Sequence, residues 1–158
     1  MPWQNDMVLI LRGLVNDMTA PYTYSNSRME ELLVISAQLL KKDIDLSAYT
    51  ISVDGVSISP DPVDNDAHGV VNLTCLKAAC LILGAEVKLN AARAVSVEDA
   101  SASIDFRGTF EATKSIYDQY CKDLAKAIVD YKTGELSNIR AVITPTTVES
   151  NPTGIIFG

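Results

Sequence analysis

The feature that most constrains the fold is an almost uninterrupted apolar stretch over residues 70–94. A helix that is hydrophobic on nearly all sides is expected to be buried on nearly all sides. The stretch is therefore predicted to be the central helix of a bundle. Four small residues in it would let neighbouring helices approach closely: Ala78, Ala79, Gly84 and Ala85.

Length and composition fit a single bundle of this kind. The chain has 158 residues, of which 47% are hydrophobic but only 6% aromatic. A domain of this length buries about 68–70% of its unfolded surface, which is enough for a core without metal ions or disulfides. A core that is aliphatic and rich in alanine suits packed helices better than a β-sandwich.

Two amphipathic helices are predicted before the central one. Residues 7–15 form a short amphipathic pattern, and residues 27–44 carry apolar side chains at i, i+3, i+4 and i+7 spacing. Ser27 and Glu30 fit a capping box, in which each side chain accepts a hydrogen bond from a free backbone N–H at the helix start. The second helix is therefore predicted to begin at this pair.

A fourth helix is predicted over residues 108–132, with Gly134 as its C-cap. Residues 96–106 before it predict a loop or strand, and residues 139–143 after it predict a strand. An apolar stripe marks the predicted buried face of this helix: Phe110, Tyr117, Cys121, Leu124, Ile128 and Tyr131.

Residues 49–59 predict a β-hairpin. Residues 49–53 and 56–59 alternate in polarity around Asp54 and Gly55, and Asp-Gly between alternating runs is a strong hairpin signal. A lone two-stranded hairpin is only marginally stable in water, so it needs a sheet, a helix or a partner chain to pack against. The tip residues Asp54 and Gly55 are therefore candidate subunit or partner contacts.

The C-terminal tail supplies the other candidate contacts. Residues 144–158 are rich in Thr, Ser, Pro and Asn, yet they include Ile155, Ile156 and Phe157. Three large apolar side chains after a polar segment have little reason to lie in water. Two interpretations stay open: the tail packs back on its own domain, or it is an arm that docks on a neighbouring subunit.

Together these patterns predict a mainly α fold. It is a helical bundle of about four helices, with a β-hairpin between helices 2 and 3 and an extended C-terminal arm. Residues 1–135 form the helical domain, which contains the hairpin at residues 49–59. Residues 136–158 form a strand followed by the extended tail.

The charge balance argues against nucleic-acid binding through basic side chains. The net charge is −7, from 13 basic and 20 acidic residues, and the only basic pair, Lys41-Lys42, is followed by Asp43 and Asp45. Such a surface repels phosphate backbones. A basic partner surface remains compatible with it.

The start of the chain and its cysteines favour folding in a reducing cytoplasm. The first residues lack the basic start of a secretory signal, and Arg12 interrupts the following apolar run. Three cysteines cannot all pair within one chain. The longest apolar stretch, residues 75–83, contains Lys77 and is far shorter than a membrane span.

No residue pattern predicts a catalytic, cofactor or metal site. His68 is the single histidine, and the loop before it resembles the start of a calcium loop but has Cys75 where a bidentate Glu belongs. Cys75 and Cys80 lie in the most apolar segment, where burial makes a thiol inert. Cys121 would pair with His68 only if the fold united them. An enzyme built around His68 and the nearby aspartates is an alternative.

The order of elements resembles the head–tail connector proteins, also called adaptor or neck proteins, of tailed bacteriophages, including those of marine phages. The likeness spans about residues 3–132 and rests on these stretches: 22–40 (YTYSNSRMEELLVISAQLL), 49–54 (YTISVD) with 58–62 (ISPDP), 76–80 (LKAAC) and 94–105 (AVSVEDASASID).

The resemblance implies a structural virion protein that forms a homo-oligomeric ring between portal and tail and continues the DNA channel. The implied partners are the portal protein and tail or neck proteins, and DNA would pass through without sequence-specific binding. The chain would be made in the host cytoplasm and lie at the neck of the virion, with no membrane and no cofactor. The alternatives are another neck, tail-completion or stopper protein, or a small cytoplasmic helical binding module.

Overall fold

The structure is a computed structural model that describes residues 2–65, 67–96 and 106–143. It confirms the predicted mainly α fold with four helices in the described part and a hairpin between the second and third. The elements in chain order are α1 (Trp3–Leu14), α2 (Asn26–Leu40), β1 (Thr50–Ser52), β2 (Ser57–Ser59), α3 (His68–Ser96) and α4 (Phe106–Ile143). The predicted arm over residues 144–158 lies outside the described residues.

The apolar stretch forms the centre of the bundle, as predicted. Helix α3 contacts α1, α2 and α4. By length and composition alone His68–Arg93 would also suit a membrane span, and 56% of its most apolar window is buried inside the protein. The central helix of a bundle has the same composition, and the packing of α3 on three helices accounts for it.

Helix α4 lies antiparallel to α3. The ring of Tyr131 lies over Gly69, and the ring of Tyr117 lies over Gly84. Further along, Asn90 Nδ2 donates to Thr113 Oγ1 at 3.3 Å. Gly84 therefore allows the close approach expected of the small residues, because a Cβ there would lie 3.1 Å from the Tyr117 ring.

The buried core lies between α1, α2, the hairpin and the first half of α3. One cluster joins Trp3, Met7 and Leu11 of α1 to Leu33 of α2 and Cys75 of α3. A second cluster joins the end of α2 and the following loop to α3 and to Leu124 of α4. From 84–93 in α3 and from 108–123 in α4 no side chain is buried.

This difference divides the molecule into two regions. Helices α1 and α2 are 12 and 15 residues long, whereas α3 has 29 residues. Residues 87–96 of α3 and 106–116 of α4 therefore continue as two helices alone, which we call the distal helix pair. The rest of the described chain is called the body.

The start of α2 differs from the prediction. Ser25, not Ser27, is the N-cap, and its Oγ accepts from Arg28 N at 3.2 Å. The predicted capping box at Ser27 and Glu30 is therefore wrong, because Ser27 already lies inside the helix. Two serines two positions apart offer the same local chemistry, and the polar contacts of Asn26 described below favour the earlier start.

The end of α4 also differs. The helix continues through Gly134 to Ile143, so the predicted C-cap at Gly134 and the predicted strand over residues 139–143 are wrong. Gly134 has no positive φ angle, which a C-cap glycine would need. Residues 135–143 include Glu, Leu, Arg and Ala, which favour a helix strongly enough to accommodate one glycine.

The hairpin has the predicted turn but a longer loop. The strands pair antiparallel with Ser52 opposite Ser57, so residues 53–56 form the loop around Asp54-Gly55. The positive φ angle of 44° falls on Val56 and not on Gly55. Val56 and Ile58 pack against the main core cluster. The support that an isolated hairpin needs thus comes from its own domain.

Candidate interaction surfaces

Of the residues predicted as contacts, the described structure includes the two at the hairpin tip. Asp54 and Gly55 are exposed at the hairpin tip, where Gly55 N donates to Ser52 Oγ at 3.1 Å. Ile155, Ile156 and Phe157 lie outside the described residues. The hairpin tip is therefore available to a partner.

A groove that was not predicted lies between α1 and the start of α2. It has a volume of about 200 Å³, and we call it the α1–α2 groove. Its lining residues are Gln4, Asn5, Val8, Leu9, Arg12, Tyr22, Asn26 and Glu30. Two of the apolar side chains at this site are largely in solvent, since Leu9 is 57% and Tyr22 53% exposed. The groove thus combines an apolar surface with several carboxamides.

The loop that supplies Tyr22 is fixed by a buried ion pair. Arg12 Nη1 lies 2.5 Å from Asp17 Oδ2, and both side chains are buried. Arg12 Nη2 donates to the carbonyl of Tyr24 and to Asn26 Oδ1, both at 2.8 Å. Arg12 thus closes the connection between α1 and α2.

Asp17 also accepts hydrogen bonds from the connection between α1 and α2. Its carboxylate accepts from Thr23 N at 2.8 Å and from Tyr24 N at 3.3 Å. Burial by itself would raise the pKa of Asp17, but these two N–H donors and the Arg12 guanidinium outweigh it and lower the pKa below its ordinary value of 3.8. Asp17 is therefore a charged structural residue rather than a proton carrier.

The same loop is attached to the central helix. Tyr24 OH donates to Glu86 Oε1 at 2.7 Å, and burial together with this hydrogen bond raises the pKa of Tyr24. The guanidinium of Arg12 lies 4.0 Å from the centre of the Tyr22 ring, a cation–π contact. Tyr22 is thereby held as one wall of the α1–α2 groove.

Gln4, one of the residues that line the groove, has an unsatisfied polar atom. Gln4 Oε1 is buried and has no hydrogen-bond partner within the described chain. A buried acceptor without a donor costs free energy, about 1–3 kcal/mol in mutational series.

The distal helix pair also has exposed apolar side chains. Leu89 of α3 is 53% exposed and Ile116 of α4 is 50% exposed. Both lie beyond the part of α3 that α1 and α2 cover. Exposed apolar side chains are therefore found on the distal helix pair as well as at the α1–α2 groove.

The cysteines occupy structural positions. Cys75 is fully buried, and burial raises its pKa to about 12. Cys80 lies beside Cys121, and burial and this neighbouring thiol raise the pKa of Cys80 to about 12. Thiols with a raised pKa are poor nucleophiles and metal ligands. The packing interpretation of Cys75 and Cys80 agrees with this environment.

Cys121 and His68 are not brought together. The antiparallel register places Cys121 beside Cys80, and His68 is 12 residues earlier in α3, about 18 Å along the helix axis. Within the described residues, no three His, Cys, Asp or Glu side chains form a group that could hold a metal ion.

Comparison of the chain with protein-family models, with curated proteins and with solved structures gives no match. The likeness to phage connector proteins therefore stays a prediction from the sequence. The function has to be argued from the surfaces themselves.

Proposed function

We propose that the chain is a structural subunit of a homo-oligomeric ring, and specifically a head–tail connector of a tailed bacteriophage. The ring would lie between portal and tail and would continue the DNA channel. The specific assignment rests on the sequence resemblance, whereas the assembly role has support in the surfaces of the molecule.

The observation that supports the assembly role is the presence of exposed apolar side chains at different places on one subunit. A ring is built from head-to-tail contacts, in which one patch of a subunit meets a different patch on the next. Leu9 and Tyr22 at the α1–α2 groove could contribute to one such contact, and Leu89 or Ile116 on the two long helices to another. A single self-complementary patch would instead favour a closed dimer.

The charge of the chain is compatible with a DNA channel. A net charge of −7 disfavours tight binding of phosphate backbones. A channel wall has to let DNA pass, so weak or repulsive contacts suit it. The acidic composition supports a conduit better than a DNA anchor.

The experiment that tests the proposal has two parts. Native mass spectrometry of the purified chain, alone and with its portal protein, measures whether a closed oligomer of fixed size forms. Quantitative mass spectrometry of purified particles, with labelling to locate the chain, measures its copy number and position. A low fixed copy number at the neck is expected. Absence from particles and a monomer in both mixtures would contradict the proposal.

A helical binding module is the second candidate, and the α1–α2 groove favours it. A groove lined by apolar side chains and carboxamides suits a peptide from another protein. A stable monomer that binds such a peptide and never forms an oligomer would put this candidate first.

A further inference from the structure

We propose that Cys80 of α3 and Cys121 of α4 form a peroxide-sensitive thiol pair, which oxidation converts to a disulfide that joins the two helices. The inference goes beyond the proposed ring and does not depend on it. It assigns a modification site to two side chains that also pack in the second core cluster.

The register of α3 against α4 places the two cysteines at the same level. The Tyr117 ring lies over Gly84, so closely that a Cβ on Gly84 would be 3.1 Å from it. Cys80 is four residues before Gly84, and Cys121 is four residues after Tyr117. Because the helices are antiparallel, both cysteines lie about one turn from this contact, on the same side of it. The two thiols accordingly lie beside each other.

The spacing of packed helices suits a disulfide. The axes of helices in contact lie about 8–10 Å apart, and each Cα lies about 2.3 Å from its axis. Residues that face each other across the contact therefore have Cα atoms about 4–6 Å apart, and a disulfide needs about 4.4–6.8 Å. Since α3 and α4 pack closely at Gly84, one turn away, side-chain rotation alone can bring the two sulfur atoms to bonding distance.

The two thiols differ in their access to solvent, which divides their roles. Cys121 is half-buried, whereas Cys80 is only 6% exposed. Burial and the neighbouring thiol raise the pKa of Cys80 to about 12, so Cys80 stays protonated and does not react first. Cys121 is therefore the thiol that a small oxidant reaches, and Cys80 is the thiol that closes the link.

The oxidant is hydrogen peroxide, and the reaction has two steps. The Cys121 thiolate attacks a peroxide oxygen, so that an S–O bond forms, the O–O bond breaks and the leaving hydroxide takes up a proton to become water. Cys80 Sγ then attacks the sulfur of this sulfenic acid, so that an S–S bond forms and the S–O bond breaks. The hydroxide leaves with the Cys80 proton as a second water. The adjacency of the two thiols offsets the high pKa of Cys80 in this step, because the attack is intramolecular.

The link would fasten the two long helices next to the distal helix pair. Cys80 precedes residues 87–96 in α3, and Cys121 follows residues 106–116 in α4. A disulfide between them closes a long loop in the unfolded chain and thereby stabilises the folded one. For a chain of this length the expected rise in Tm is about 5–15 °C.

The test uses the full-length chain, first reduced and then treated with hydrogen peroxide. Trypsin places the three cysteines on separate peptides, which are residues 43–77, 78–88 and 115–122. Remaining thiols are alkylated before digestion, and mass spectrometry identifies linked peptides. We expect residues 78–88 to be linked to 115–122 and the Tm to rise, and a thiol reductant should reverse both. When chains of two isotopic compositions are mixed before oxidation, each link should contain one isotope only.

Two variants identify the thiols that react. Cys121→Ser keeps the size of the side chain and should abolish both the link and the rise in Tm. Cys75→Ala is the control and should keep both, since Cys75 is fully buried and its Sγ lies 3.8 Å from the carbonyl oxygen of Met7 in α1. Circular dichroism of both variants confirms that the helices form.

Three results would overturn the inference. Oxidation of Cys121 to sulfinic acid with no link to residues 78–88 would show that Cys80 is out of reach. Links that involve residues 43–77, or that combine two isotopes, would show that a different pair of thiols reacts. A link that leaves the Tm unchanged or lowers it would show that the disulfide does not fit the packed helices. The oligomeric state that tests the proposed ring is measured separately and decides none of these results.

Discussion

The two halves of α3 differ in composition and in environment: residues 84–93 include Glu86, Lys88 and Arg93, whereas the only charged residue in 70–83 is Lys77. Residues 70–83 are surrounded by α1, α2 and α4, and nearly every side chain there is buried or half-buried. From 84–93 no side chain is buried, and Leu89 is largely in solvent. The difference arises because α1 and α2 are shorter than α3. The environment of an apolar helix thus depends on the length of its neighbours as much as on its own sequence.

The largest expected loss of stability comes from breaking the buried ion pair between Arg12 and Asp17, which fixes the connection between α1 and α2. Arg12→Ala leaves Asp17 as a buried carboxylate without its cation, and breaking such a pair costs about 3–5 kcal/mol of unfolding free energy. Arg28→Ala is the control, because Arg28 pairs with Glu31 at 3.4 Å on the exposed side of α2. Such surface pairs contribute about 0–1 kcal/mol. Urea unfolding of both variants measures the difference.

The next prediction tests the two halves of α3 directly. Leu73→Ala creates a cavity in the buried half and should lower the unfolding free energy by about 2–5 kcal/mol. Leu89→Ala in the exposed half should change it by less than about 0.5 kcal/mol. Chemical unfolding monitored by circular dichroism provides both values. Similar losses would mean that the distal helix pair is covered in solution, for example by another subunit.

The sequence predicted the buried half of α3 better than the rest. Its continuous apolar run can only be accommodated inside a bundle, so burial follows from composition. The exposure of Leu89 was not predicted, although the polar residues Glu86, Lys88 and Asn90 beside it were an available signal. For helix α4 the sequence predicted the inward-facing stripe correctly, since Leu124 is buried, but it predicted the wrong C-terminal end of the helix. Gly134 was overinterpreted as a stop signal.

The α1–α2 groove was missed for similar reasons. Leu9 and Ile10 lie within an apolar run whose inward and outward positions are hard to tell apart in a short helix. Arg12 was noted only as an interruption of that run, whereas its ion pair and hydrogen bonds fix the connection between α1 and α2. Asp17 five residues later was the available signal, because opposite charges across a tight connection can pair. The unpaired Gln4 Oε1 depends on packing and has no sequence signal.

Acid should lower the unfolding free energy, because it protonates Asp17 of the buried ion pair with Arg12. The pKa of Asp17 is lower in the folded than in the unfolded chain, where it is about 3.8. Its contribution to stability is therefore complete above that value and is lost as the pH falls through the lower folded value. In Asp17→Asn this part of the acid dependence should disappear. Unfolding free energies measured from neutral pH downward, for both chains, test the sign; a steeper acid loss in Asp17→Asn would contradict it.

The smallest expected effect distinguishes a helix interior from a helix end. Gly134 lies inside α4 with no positive φ angle, and a Cβ added there meets nothing within 4 Å. Gly134→Ala should therefore stabilise the helix by about 0.5–1 kcal/mol. If Gly134 instead ended the helix with a positive φ angle, alanine would be strained there and would destabilise it.

Gly84→Ala is the matched comparison on the other long helix. The same gain in helix propensity is expected there, but the new Cβ lies 3.1 Å from the Tyr117 ring, so crowding offsets it. Thermal unfolding and amide hydrogen exchange of α4 should show a rise for Gly134→Ala and a smaller or no rise for Gly84→Ala. A loss of exchange protection around residue 134 in the alanine variant would show that α4 ends there.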